Sequence, residues 1–170
     1  MQSYTNNNGN LDQEPKLSQN AIIGLWEDLY NQKQKLWLTV LSGSMIPLIQ
    51  IGDKVLVQSV KPAEIRVGDI IVFKNLDKFI VHRVIRKYDS LSFLQKGDNT
   101  TTAEIVRSEH VIGKVIAIRK GTRIIRLNNG FGMFINLMLT FFSCSVYYLK
   151  HGNRIARRIM KLFFTVVYKT

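Results

Sequence analysis

The sequence predicts a mainly β protein: a small antiparallel β-barrel or sandwich, with an N-terminal amphipathic helix and a C-terminal apolar helix. Three observations carry this expectation. Between residues 41 and 127, short runs rich in Val, Ile and Phe are separated by turn signals, the pattern of a compact all-β domain. Residues 17–40 place Leu17, Ala21, Ile22, Leu25, Trp26, Leu29, Leu36 and Trp37 along one helical stripe. From Phe131 to Leu149 no residue is charged, a run long enough to cross about 30 Å of hydrocarbon as a helix.

Taken in order, residues 1–16 are rich in Asn, Gln and Ser and read as a disordered tail. The stripe of 17–40 is interrupted by Glu27, Asp28, Lys33 and Lys35, so it packs on a core or lies in a membrane interface rather than spanning. Expected strands are KVLVQSV (54–60), DIIVFK (69–74), FIVHRVI (79–85), SFLQK (92–96) and VIGKVIAI (111–118), with RIIRL (123–127) as one more. Gly52-Asp53, Gly68-Asp69 and Gly97-Asp98 punctuate them as turns. Residues 128–170 form a basic, apolar, membrane-associating segment, in which IMKLFFTVVY (159–168) is too short to span.

Composition limits the function classes. The 170-residue chain is 46% apolar and 21% charged, enough for a packed core. Its single cysteine, Cys144, excludes a disulfide framework and any multi-cysteine zinc site, and His82, His110 and His151 lack metal-ligand spacing. The net charge of +12 is concentrated: all 12 acidic residues precede position 111, and residues 111–170 carry 11 basic residues and no acid. Such a block meets an anionic partner. Arg123 and Arg126 before the apolar run, Lys150, Arg154, Arg157 and Arg158 after it, and Tyr147 and Tyr148 near its end point to a lipid membrane rather than nucleic acid. Asn136, Thr140, Ser143 and Ser145 dilute the run, so a tilted span, an in-plane helix and a buried core helix are all compatible with it.

Three segments carry chemistry. In SGSMIPLIQIGD (42–53), Ser44 follows Gly43 on a loop leading into the first expected strand, where backbone N–H groups can face a developing oxyanion; a plain turn serine is the alternative. In FIVHRVI, strand alternation puts Ile80, His82 and Val84 on one face and Phe79, Val81, Arg83 and Ile85 on the other. His82 is then either a half-buried structural histidine or a general base able to take a hydroxyl proton near neutral pH. In LQKGDNTTTAE (94–104), Asp98 and Glu104 are the two carboxylates that can orient His82, and Asp98 is equally a natural turn residue.

With these segments in view, the chain resembles signal peptidase I. Ser42, Gly43, Ser44, Met45, Pro47, Gly52 and Asp53 reproduce that family's S-G-S-M-x-P-x-x-x-x-G-D box; RVGDIIVF (66–73), VHRVI (81–85) and KGDN (96–99) match its later boxes in order, over about residues 41–118. A histidine stands where the common bacterial branch has lysine, so the resemblance is to the endoplasmic-reticulum, archaeal and sporulation branch. It implies a β-rich serine peptidase domain of signal peptidase type, with Ser44 as nucleophile, His82 as general base and Ser42 helping to bind the oxyanion. Asp98 is the expected acid because its box is intact, with Glu104 near the branch's second acid. It also implies cleavage of a signal or leader polypeptide after small residues, in shallow pockets lined by residues such as Ile46 and Ile71. No cofactor or metal is required, and the expected location is a membrane. A dedicated leader peptidase for a modified peptide and a non-catalytic peptide-binding relative are the alternatives. A typical relative carries its membrane anchor before the serine box, where this chain has the amphipathic residues 17–40.

Overall fold

The computed structural model describes residues 35–76 and 78–148. The expected tail 1–16, the stretch 17–34 and the segment 159–168 lie outside the described residues. Among the described residues, eight strands form one antiparallel sheet: β1 (Lys35–Thr39), β2 (Lys54–Gln58), β3 (Ile70–Asn75), β4 (Lys78–Lys87), β5 (Ser92–Lys96), β6 (Glu104–Arg107), β7 (Val111–Lys120) and β8 (Arg123–Arg126). The order along the sheet is β1-β2-β7-β3-β4-β5-β6, and β8 pairs with the second half of β7. Helix α1 (Gly130–Tyr148) follows. All six strands expected from sequence are present. The two additions are β1, which corrects the C-terminal end of the expected 17–40 helix to a strand, and β6.

The first two Gly-Asp turns hold because the carboxylate closes its own loop. The Asp53 Oδ2 accepts from the Gln50 amide at 2.7 Å, and the Asp69 Oδ2 from the Arg66 amide at 2.8 Å. Each also meets a lysine of β7: Lys120 at 2.6 Å from Asp53, and Lys114 at 2.8 Å from Asp69.

Strand alternation divides the core in two. Val55, Val57, Ile70, Val72, Val115 and Ile118 build one cluster with Met45, Leu48 and Ile49 of the serine loop and Ile135 and Leu139 of α1. Ile65, Ile71, Phe73, Val84, Phe93 and Val106 build the other. The expected faces of β4 are the observed ones: Phe79 and Val81 pack against the first cluster, Ile80 and Val84 against the second. Ile71 is fully buried, which corrects its expected place on a substrate pocket; Ile46 is half-buried in the serine loop.

Helix α1 lies against the sheet. Gly132, Ile135, Leu139, Ser143 and Val146 are buried at spacings of three and four, so one stripe faces the domain. Phe131, Phe134, Leu137 and Phe141 make a second stripe that is more than half exposed. By length and composition, Gly130–Tyr147 is apolar enough to cross a membrane.

Candidate active site

The serine loop is held from both sides. Below it, the fully buried Met45, Leu48 and Ile49 anchor the residues after Ser44. Above it lies the β5–β6 turn: the Asn99 amide donates to the Ser44 carbonyl at 2.8 Å, and the Asn99 Nδ2 donates to the Gly43 carbonyl at 3.3 Å. Gly97 is required by this contact, because a Cβ there would sit 2.7 Å from the Ser44 carbonyl oxygen and 3.0 Å from its Cβ. Ser44 stays half-buried with its Oγ 3.4 Å from the exposed Ser42 Oγ, so two hydroxyls share the loop.

His82 lies on the second-cluster face of β4, opposite Ile71 of β3 and edge-on to the Phe73 ring, whose centroid is 6.1 Å away. Its Nδ1 meets the Gln95 Oε1 at 2.5 Å. An amide oxygen only accepts, so Nδ1 carries the hydrogen and Nε2 keeps its lone pair. Burial pushes the imidazole pKa below its ordinary value; the Gln95 hydrogen bond and the charges of Asp98 and Glu104 oppose this, and Lys96 adds to it. The imidazole is therefore neutral at physiological pH, the state a general base needs.

The structure assigns Asp98 a different partner from the one expected. Both of its oxygens accept from Arg83, Oδ1 from Nε and Oδ2 from Nη2, each at 2.8 Å, with both side chains fully buried. A bidentate guanidinium takes one lone pair of each carboxylate oxygen; among the described residues Asp98 has no hydrogen bond to His82, and its charge reaches the imidazole through space. Glu104 also acts through space. It is exposed at the start of β6, directly across from Gln95 in the β5–β6 register. Of the expected residues, Ser42 and Ser44 share the loop. Asp98 belongs to the turn that clamps that loop. His82 stands on β4, whose next residue, Arg83, pairs with Lys96 beside Gly97.

Two residues outside the sequence-based set complete the site's frame. Arg83 continues from Asp98 into helix α1: its Nη1 donates to the Asn136 Oδ1 at 2.5 Å, the Thr140 Oγ1 at 3.2 Å and the Gly68 carbonyl at 3.0 Å. The polar side chains that dilute the apolar run, Asn136 and Thr140, thus face the domain, one turn apart. Their i, i+4 spacing and the lone arginine on an apolar strand face were the available signals. Gln95, 3% exposed, is the second; a glutamine within SFLQK carries no distinguishing pattern.

Comparison with known proteins adds the following. A model of the family described as Peptidase S24-like matches residues 7–116. The signal peptidase complex catalytic subunit SEC11 of Leptosphaeria maculans is 37% identical over 95 residues, covering 46% of this chain and 54% of that protein. The sec11 subunit of Pyrenophora tritici-repentis is 38% identical over the same extent. The human subunit SEC11C is 43% identical over 68 residues, covering 36% of this chain and 35% of that protein. The chain thus spans about half the length of the fungal relatives it matches, and a smaller part of the human one.

Proposed function

We propose that the chain, which belongs to the Peptidase S24-like family, is a serine endopeptidase that removes a signal or leader segment from a polypeptide, cutting after small residues at a membrane surface. One observation carries the reading: a half-buried imidazole has its Nδ1 hydrogen-bonded to the Gln95 Oε1, on the strand whose neighbouring turn clamps an accessible serine loop. The similarity to catalytic subunits of signal peptidase complexes supports the substrate class.

In this reading, the Ser44 Oγ attacks the scissile carbonyl while the His82 Nε2 takes its proton. The tetrahedral oxyanion accepts from the Ser44 backbone N–H and the Ser42 hydroxyl; losing one such donor typically costs about 100- to 1,000-fold in rate. His82 returns the proton to the leaving amine and then activates the water that hydrolyses the acyl ester. Asp98 supports the site by holding its turn through Arg83, and its charge reaches His82 through space. No step calls on a metal or organic cofactor.

The exposed stripe of Phe131, Phe134, Leu137 and Phe141 supports membrane contact by α1 lying in the interface plane. A helix crossing the bilayer while still bound to Arg83 through Asn136 and Thr140 would draw the charged turn into hydrocarbon, at a cost of several kcal/mol. The test is cleavage, in detergent micelles, of a peptide with Ala at the first and third positions before the cut. Ser44→Ala and His82→Ala are each expected to lose cleavage while keeping the native circular dichroism spectrum. Full activity in either folded variant overturns the assignment.

A further inference from the structure

We propose that Gln95 is the positioning residue of this site: its side-chain carbonyl, rather than a carboxylate, fixes the tautomer and orientation of His82. The inference rests on the reading of His82 as general base and names what holds it. Three observations bring it about. The Gln95 Oε1 is the hydrogen-bond partner of His82 Nδ1. Gln95 is 3% exposed between β4 and β6, opposite Val84 on one side and Glu104 on the other, so its rotamer is set by packing. And Asp98, the acid nearest by sequence pattern, has both oxygens bound to Arg83.

The chemistry separates the two kinds of partner. A carboxylate at Nδ1 orients the ring and also stabilises the imidazolium by a full charge. A neutral amide oxygen orients the ring equally well but favours the imidazolium much less. The groups that set the charge balance around His82 are then Asp98 from the β5–β6 turn, Glu104 from β6 and Lys96 from β5, none of them on Nδ1. A base held this way stays unprotonated to lower pH than one held by a carboxylate. Glu104, across the ladder from Gln95, modulates that charge from a solvent-exposed position.

The test uses Gln95→Leu, close in volume with the acceptor removed, and Gln95→Glu, which restores a carboxylate. Two readouts are taken on the full chain in micelles. The first is the 15N spectrum of the His82 ring, which needs no substrate: the parent protein is expected to show the Nδ1–H tautomer, and Gln95→Leu a mixture. The second is the pH dependence of cleavage of the same Ala-containing peptide. Gln95→Leu is expected to lower kcat by about 100-fold with KM little changed, the lower end of what a positioned general base contributes. Gln95→Glu is expected to keep most of kcat and move the acid limb of the profile to higher pH. A parent tautomer, kcat and profile retained in both variants overturns the proposal. So does a Glu104→Gln variant that alone reproduces the Gln95→Leu changes. Absence of cleavage by the parent protein, with the tautomer shift still observed, would count against the peptidase reading and not against the positioning role.

Discussion

His82 and Arg83 are consecutive residues of β4, yet they occupy environments of opposite kind. His82 faces a half-open apolar surface, carries no formal charge and has one neutral partner. Arg83 faces the other side, is fully buried and is engaged by a carboxylate, a backbone carbonyl and two side chains of α1. The strand's alternation leaves one residue facing the half-open surface and turns its neighbour into a bolt between the β5–β6 turn and the helix. The lesson is that a buried acid near a histidine is not thereby its partner. In this molecule the acid with the strongest sequence signature stabilises the fold around the site, and an uncharged amide meets the imidazole.

The comparison breaks most readily at the bolt. Arg83→Met or Asp98→Asn leaves an unpaired buried charge or a half-satisfied guanidinium, and each single change is expected to destabilise the protein by about 3–5 kcal/mol. Denaturant titration reads this directly. The paired change Arg83→Met with Asp98→Leu should recover much of the loss, because a buried ion pair is worth little against well-packed apolar groups. Equal losses in the single and paired variants would show that the bonds to α1, not the ion pair, hold the turn.

The next effect falls on the serine side. Gly97→Ala would force its new methyl against the Ser44 carbonyl, 2.7 Å away. Since the clash moves the proposed nucleophile and the backbone N–H proposed for the oxyanion together, kcat should drop by about 100- to 1,000-fold, the scale of a lost oxyanion donor. Thermal melting should change far less than in the Arg83 variant. A Gly97→Ala protein with parental kcat would mean that the turn does not position Ser44.

A smaller effect is expected at the outer face of α1. Phe134→Ser with Phe141→Ser removes two exposed aromatic rings and leaves the buried stripe intact. Binding to anionic lipid vesicles should weaken by about 100-fold or more, given roughly 1.5–3 kcal/mol for burying each such side chain. Stability in solution should stay within about 0.5 kcal/mol. Unchanged flotation would remove this face as the lipid contact.

The mildest effect is that of pH. The pKa of His82 is lower in the folded than in the unfolded chain, with burial the main cause. The unfolded chain therefore binds more protons in the window between the two values, and stability rises with pH there. This contribution is complete above the unfolded histidine value and lost as pH falls towards the folded one. In His82→Gln the slope across that window should flatten.

Much of the fold was legible because β3 and β5 are buried on both faces, β2 and β7 alternate buried with partly exposed positions, and the Val and Ile runs are dense. The missed strands had weaker signals. In β1, Leu36, Trp37 and Leu38 also fit the helical stripe preceding them, and it took pairing with β2 to show an edge strand. In β6 only Val106 is buried, so Glu104–Arg107 reads as a loop. The placement of Ser44 on a loop and of His82 on a strand was legible from their boxes, which encode local turn and strand geometry. The partner of His82 was not, since the contact with Gln95 depends on the relative register of β4 and β5 and on Arg83 having already claimed Asp98.

The central claim is that Ser44 is a nucleophile activated by His82, and covalent labelling tests it most directly. The protein in micelles is treated with a serine-directed fluorophosphonate and the adduct is mapped by mass spectrometry. The account expects a single phosphonylated peptide at Ser44, with labelling strongly slowed in His82→Ala. An adduct elsewhere, or labelling of Ser44 at the parental rate without the imidazole, would contradict it.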